Sequence, residues 1–194
     1  MYQEDFLLDT EYTKYIKKEV FILMKEWFEV CLTEIFGSKS FYVKLPMPTA
    51  ELIERIRTTF KDREYIIDVV DNHGLRINEF TNIESLNEFA QFLEDNSVEE
   101  KTLECIAYSG QDSLDEVRKI IENESYSIIS SGDNFSDEEK DLGEALYSNN
   151  LLDIDLPQDL VDKGYINFTA IGRDAMISFG WNYVGEHKSY CRTW

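Results

Sequence analysis

The chain offers few residues for chemistry. It has two histidines, His73 and His187, and three cysteines, Cys31, Cys105 and Cys191. His187 and Cys191 stand four apart. On a helix that spacing would set a thiol beside an imidazole; on a strand it leaves them on one face, about 13 Å apart. Phe179, Trp181, Tyr183, Tyr190 and Trp194, with Gly185 among them, predict a terminal hairpin. His187 therefore reads as a surface histidine and Cys191 as a packed thiol. His73 falls in the turn signal Asn72-His73-Gly74 and reads as solvated. No segment matches a zinc spacing, a glycine-rich phosphate loop or H-E-x-x-H. The run from Asp133 to Glu139 lacks the residue order and the sixth-position glycine of a calcium loop. Ser136 and Glu139 read instead as a helix-capping box. No pair of carboxylates stands out as acid and base. No catalytic residue, cofactor or metal is expected, and the chain reads as a non-enzyme.

The acids carry the signal instead. The chain has 39 Asp+Glu against 19 Lys+Arg, a net charge of −20. Binding to DNA, RNA or an anionic membrane runs on Lys and Arg, so those roles are excluded. The excess is uneven: residues 111–162 hold 15 acids and 3 bases, whereas residues 163–194 hold 2 and 4. On predicted helices the acids recur at turn spacing. Glu51 and Glu54, Glu84 and Glu88, and Glu100 and Glu104 do so, with Glu94, Asp95 and Glu99 beside them. Then come Asp112, Asp115, Glu116 and Glu122, and Asp137, Glu138, Glu139, Asp141 and Glu144. Asp68, Asp71 and Asp133 stand between them. Like charges one turn apart oppose helix formation. A solvated face is one account; rows of carboxylates imitating phosphates is the sharper one. Duplex DNA carries one charge per about 1.7 Å of axis, so this excess equals roughly 34 Å, about one turn.

The elements that must position these acids fit an α+β chain. Tyr12, Ile16, Val20, Leu23, Trp27, Cys31 and Ile35 predict a helix over residues 11–36. Phe21, Ile22, Phe28, Val30 and Leu32 widen its apolar stripe until it nearly encircles the helix. A strand Phe41–Leu45, a helix Thr49–Phe60 and a strand Tyr65–Val70 follow, with Leu75–Phe80 as a possible partner strand. Ile83, Leu86, Phe89, Ala90 and Leu93 line one helix; Ser97 to Glu100 reads as a capping box opening another. Helices at Ser113–Ile121, Asp137–Tyr147 and Phe168–Met176 and a strand Tyr126–Ser130 complete the pattern. The expected domains are an N-terminal helical extension 1–40, a small α/β domain 41–82, a helical domain 83–110 and a C-terminal α/β domain 111–194. The first residues are acidic, not the basic start of a secretory signal. The apolar stretch Val20 to Phe36 is broken by Lys25, Glu26, Glu29 and Glu34, so it is no membrane span. Scattered cysteines fit a reduced cytoplasm.

Three segments resemble the ArdA antirestriction family, acidic proteins of plasmids, transposons and phages. Gly74 to Glu88, reading GLRINEFTNIESLNE, resembles the family's turn, strand end and I-x-E-L-N helix start. Asp141-Leu142-Gly143-Glu144-Ala145-Leu146 resembles its D-L-G-x-x-L antirestriction motif. Leu156-Pro157 and Tyr165 to Asp174 resemble its L-P and Y-I-D-Y-x-A-x-G-R-D signature, with Asn167 and Phe168 at the Asp and Tyr positions. The likeness begins near Phe41; the family's usual opening strand and loop are absent. It implies an elongated chain of small α and α/β domains that dimerises into a curved, acidic rod. It also implies a DNA mimic that fills the basic DNA-binding groove of Type I restriction–modification enzymes, without catalysis, in the cytoplasm of a bacterial host. A homodimer interface is implied at Asp141, Leu142, Gly143, Glu144 and Leu146, with Leu151 beside it. The replaced N-terminus leaves open a different target, such as a CRISPR effector nuclease, and an acidic adaptor is the reading from another class. Gly172-Arg173-Asp174 is expected to fix a helix against the terminal hairpin.

Overall fold

The computed structural model describes residues 25–132, 137–152 and 154–194. Among them are seven α-helices and two three-stranded antiparallel sheets, an α+β architecture. They divide into two units. One comprises 25–71 with Asn78–Ser97; the other comprises Asn72–Ile77 with Val98–Trp194.

The first unit is built around β1 (Phe28–Glu34), the central strand between β2 (Ser40–Leu45) and β3 (Tyr65–Val69). Residues 28–34 were expected in a helix; they form a strand. The reason is visible in the letters F-E-V-C-L-T-E. Phe28, Val30, Leu32 and Glu34 are buried while Glu29 is exposed and Cys31 and Thr33 are half-buried, a period of two. A stripe that nearly encircles a helix is what such a strand produces when it is read at the wrong period. The remainder of that expectation, residues 11–24, lies outside the described residues. Glu34 closes the strand inside the unit, where its carboxylate pairs with Arg63. The Arg63 guanidinium holds that carboxyl below its usual range.

Helices α1 (Thr49–Phe60) and α2 (Ile83–Asp95) complete this unit. Phe60 stacks between Phe41 and Tyr65, with ring centroids 5.4 and 5.3 Å away. Phe89 of α2 meets Phe28 at 6.4 Å. The Asn87 side chain accepts from the Met47 N–H and donates to the Met47 carbonyl, both at 2.9 Å, so both polar atoms of a buried amide have a partner. Asn82 caps α2 by accepting the Ser85 N–H at 3.0 Å. Residues 75–80 form no strand; the Ile67 N–H donates to the Glu79 carbonyl as a single link.

The second unit contains α3 (Glu100–Tyr108), α4 (Leu114–Glu122), β4 (Tyr126–Ser130), α5 (Glu138–Ser148), α6 (Gln158–Asp162), α7 (Phe168–Phe179), β5 (Asn182–Val184) and β6 (Ser189–Thr193). The terminal hairpin of β5 and β6 forms, and β6 also pairs with β4. Capping differs from expectation. Ser97 has a left-handed φ of 51° and ends the preceding turn, while Glu99 precedes α3 without a side-chain bond. Ser136 lies outside the described residues, and Asp137 caps α5 by accepting the Lys140 N–H at 3.2 Å. Ser113 and Glu116 make a reciprocal cap on α4.

The core of this unit is Ile129, Leu142, Leu146, Ala175, Trp181 and Tyr190. Helices α5 and α7 meet backbone to backbone. A Cβ at Gly143 would overlap the Phe168 carbonyl; one at Gly172 would overlap the Glu139 carbonyl and lie 3.0 Å from the Gly143 nitrogen. Arg173, next to Gly172, grips Glu139 with two guanidinium nitrogens at 2.7 and 3.0 Å. The Gly172-Arg173 pair thus fixes α7 against α5, not against the terminal hairpin as expected. Replacing Gly172 by Ala forces the helices apart and is expected to cost about 3 kcal/mol in denaturant unfolding. An unchanged midpoint would show that the helix contact can yield.

Candidate functional site

The described acids singled out by sequence fall into three groups. Most are exposed: Glu51 and Glu54 on α1, Asp68 on β3, Asp71 after it, and Glu84, Glu88 and Asp95 on α2. So are Glu99 and Glu100 at the start of α3, Asp115, Glu116 and Glu122 on α4, and Asp137, Glu138 and Glu144 at α5. Glu94, Asp112 and Glu139 are half-buried. Asp133 lies outside the described residues.

Glu104 and Asp141 correct the expectation of a surface role, since both are buried at 8% exposure. Asp141 turns inward because its carboxylate accepts the Gly132 N–H at 2.8 Å. Beside it, the buried Tyr190 hydroxyl donates to the Glu138 carbonyl at 3.0 Å. Burial first, then the Asp141 carboxylate, push that phenol well above its usual range.

Several surface acids already have cations. Glu51 pairs with Arg55 at 2.6 Å, Glu122 with Arg118 at 2.9 Å and Glu144 with Lys140 at 3.6 Å, each one helical turn apart. Asp112 meets Arg76 at 3.0 Å. Helix α2 is different. Its sequence IESLNEFAQFLED holds four acids and no base. Ile83, Leu86, Asn87, Phe89, Ala90 and Leu93 take the buried face. Glu84, Glu88 and Asp95 are left on the outward face, at steps of four and seven. At 1.5 Å per residue they span about 16 Å of helix axis. Glu84, Glu88 and Asp95 thus form a row of three outward carboxylates on a base-free helix.

Of the six residues expected at a dimer interface, Asp141, Leu142, Gly143 and Leu146 are buried within the unit itself. Glu144 and Leu151 lie at the surface.

Sequence reasoning missed one constellation. His73 is buried at 7% exposure, not solvated. Its Nδ1 lies 2.9 Å from Glu104 Oε1 and 3.8 Å from Glu100 Oε1. His187 Nε2 contacts the other Glu104 oxygen. One signal was available: Glu104 sits beside Leu103 and between Glu100 and Ala107, at the edge of the apolar stripe of α3. The thiols offer no chemistry nearby. Burial pushes Cys105 up to about 11 and Cys191 to about 12, so both stay protonated.

Among the described residues no helix is long and apolar enough to cross a membrane. A family model described as antirestriction protein (ArdA) matches residues 39–188. No curated protein and no solved structure matches the chain significantly.

The Arg173–Glu139 clamp generates a pH prediction. The Arg173 hydrogen bond holds the Glu139 carboxyl below its usual range. A carboxyl lowered on folding contributes stability above its unfolded value, about 4.3, and loses it as pH falls through the folded value. Arg173→Gln should therefore raise the Glu139 midpoint in a carboxyl NMR titration. It should also destabilise the fold at neutral pH, and the two proteins should converge in acid. An unmoved Glu139 midpoint would remove the clamp from the account.

Proposed function

The chain belongs to the ArdA antirestriction family, and from that premise we propose that it is a DNA mimic, occupying the DNA-binding groove of a Type I restriction–modification enzyme. The observation that carries this reading is the outward row Glu84, Glu88 and Asp95 on the base-free helix α2. It is supported by a net charge of −20 over the chain. A groove that binds duplex DNA is lined with Lys and Arg, and it attracts an array of carboxylates for the same reason it attracts phosphates. Association is then fast, steered by charge and weakened by salt. Inhibition is stoichiometric, with no bond made or broken. The active species is a homodimer in the host cytoplasm, which doubles the acidic surface offered to the groove.

Titrating the protein into a complex of a Type I enzyme with labelled duplex is the direct test. DNA should be displaced at ionic strengths below about 0.15 M, with apparent affinity falling as salt rises. Neutralising Glu84→Gln, Glu88→Gln and Asp95→Asn together should weaken displacement roughly tenfold, at about 0.5 kcal/mol per exposed charge. Failure to displace DNA at any salt in that range would exclude the Type I groove as the target. Light scattering at micromolar concentration should give about twice the chain mass of 22.8 kDa; a monomer would remove the dimer from the proposal.

A further inference from the structure

The cluster of both histidines about Glu104 is not accounted for by a charged surface. His73 sits in a turn with a left-handed φ of 51°, a conformation uncommon for a residue with a side chain. That turn brings its Nδ1 to 2.9 Å from Glu104 Oε1. Glu100, one turn earlier on α3, places Oε1 at 3.8 Å from the same nitrogen. His187, in the short 3₁₀ turn Gly185–His187, meets the second Glu104 oxygen through Nε2. The four residues come from three separate segments of one unit.

We propose that His73, Glu100 and Glu104 bind a divalent transition-metal ion of the zinc class, with His187 as the positioning residue that holds Glu104. Three arguments support it. The first is spacing. The potential ligand atoms of His73, Glu100 and Glu104 all lie within 4.8 Å of one another. Ligands on a tetrahedral ion with bonds of about 2.1 Å stand about 3.4 Å apart, so rotamer adjustments of at most about 1.4 Å close the site. The second is charge. Glu100 and Glu104 bring two carboxylates to one nitrogen of His73, and Glu104 is buried at 8% exposure. A dication compensates that charge at short range. The third is donor type. One imidazole nitrogen with two carboxylates suits zinc and its neighbours and gives little to magnesium, which prefers oxygen and water. The His187 contact on the free carboxylate oxygen fixes the rotamer of Glu104, as outer partners do for metal ligands generally. The bound ion would pin the segment Asn72–Ile77 to α3 inside the unit to which both belong.

The test uses the full chain stripped with a chelator. Zinc chloride is titrated in by calorimetry, with magnesium chloride as control, and thermal unfolding is followed in parallel. One zinc per chain should bind with a Kd of about micromolar or tighter, raise Tm by several degrees and be reversed by chelator. Magnesium at equal concentration should do neither. Glu100 is about half exposed, so Glu100→Gln should leave the metal-free Tm within about 2 °C while weakening zinc at least about tenfold. His73→Gln should abolish tight binding. His187→Gln should weaken it about ten- to a hundredfold without changing the stoichiometry, as for an outer-sphere partner. Absence of zinc heat and of any Tm shift up to about 100 Kd-equivalents of a micromolar site would overturn the proposal. So would equal zinc binding by wild type, Glu100→Gln and His73→Gln, which would assign the metal to scattered surface acids.

Discussion

Like charges on one surface repel, and a chain with 39 acids and 19 bases folds only if that repulsion is managed residue by residue. The structure does so by giving acids different tasks. Asp137 caps a helix, Asp141 holds a loop N–H, and Glu139 and Asp112 are bound to arginines. Glu34 and Glu104 are taken inside and given partners. In the outward row on α2, Asp95 accepts from the neutral Gln91 amide at 2.7 Å, and no ion pair forms with Glu84, Glu88 or Asp95 among the described residues. That row rests on an inner face so fully apolar that Leu86, Ala90 and Leu93 are completely buried, with Asn87 locked to Met47. Hydrophobic burial on one side of the helix is what permits uncompensated charge on the other.

The segments that carry the family likeness act through packing before they act through charge. In Asp141-Leu142-Gly143-Glu144-Ala145-Leu146 the aspartate, the leucines and the glycine face inward. Gly143 and Gly172 let two helix backbones touch, and Arg173 ties the same pair together from outside. A motif of this kind fixes the shape of the unit; the acids that reach solvent are carried on that shape. Fixed geometry matters for a surface that must meet a row of cations, because ordering loose side chains on binding costs affinity.

Much of this was legible in the sequence. The helices at Thr49–Phe60 and Ile83–Asp95 follow from helical spacing of apolar residues, whereas the Asn82 cap of the second was not read. The strand β1 was not legible because Trp27, Cys31 and Ile35 satisfy a period near four while Phe28, Val30 and Leu32 satisfy a period of two. Only the pairing partners β2 and β3 decide between them. The histidine cluster was hidden for another reason. It joins a left-handed turn, a helix and a 3₁₀ turn that lie far apart in the chain, and such a meeting leaves no local pattern beyond Glu104 at the edge of an apolar stripe. Asp141 shows the same limit: an acid on a charged helix reads as solvated until the Gly132 N–H is seen opposite it.

The position of β1 has a consequence for where this protein can be divided. The family likeness spans residues 39–188, yet the central strand of the first sheet is Phe28–Glu34, ahead of that span. A chain begun at residue 39 would keep β2 and β3 but lose the strand that pairs with both. Each would be left with an unsatisfied edge and an uncovered apolar side. The edge of the family match therefore falls inside the first sheet rather than ahead of it, since β1 and Trp27, whose N–H joins the Leu45 carbonyl at 2.8 Å, precede residue 39.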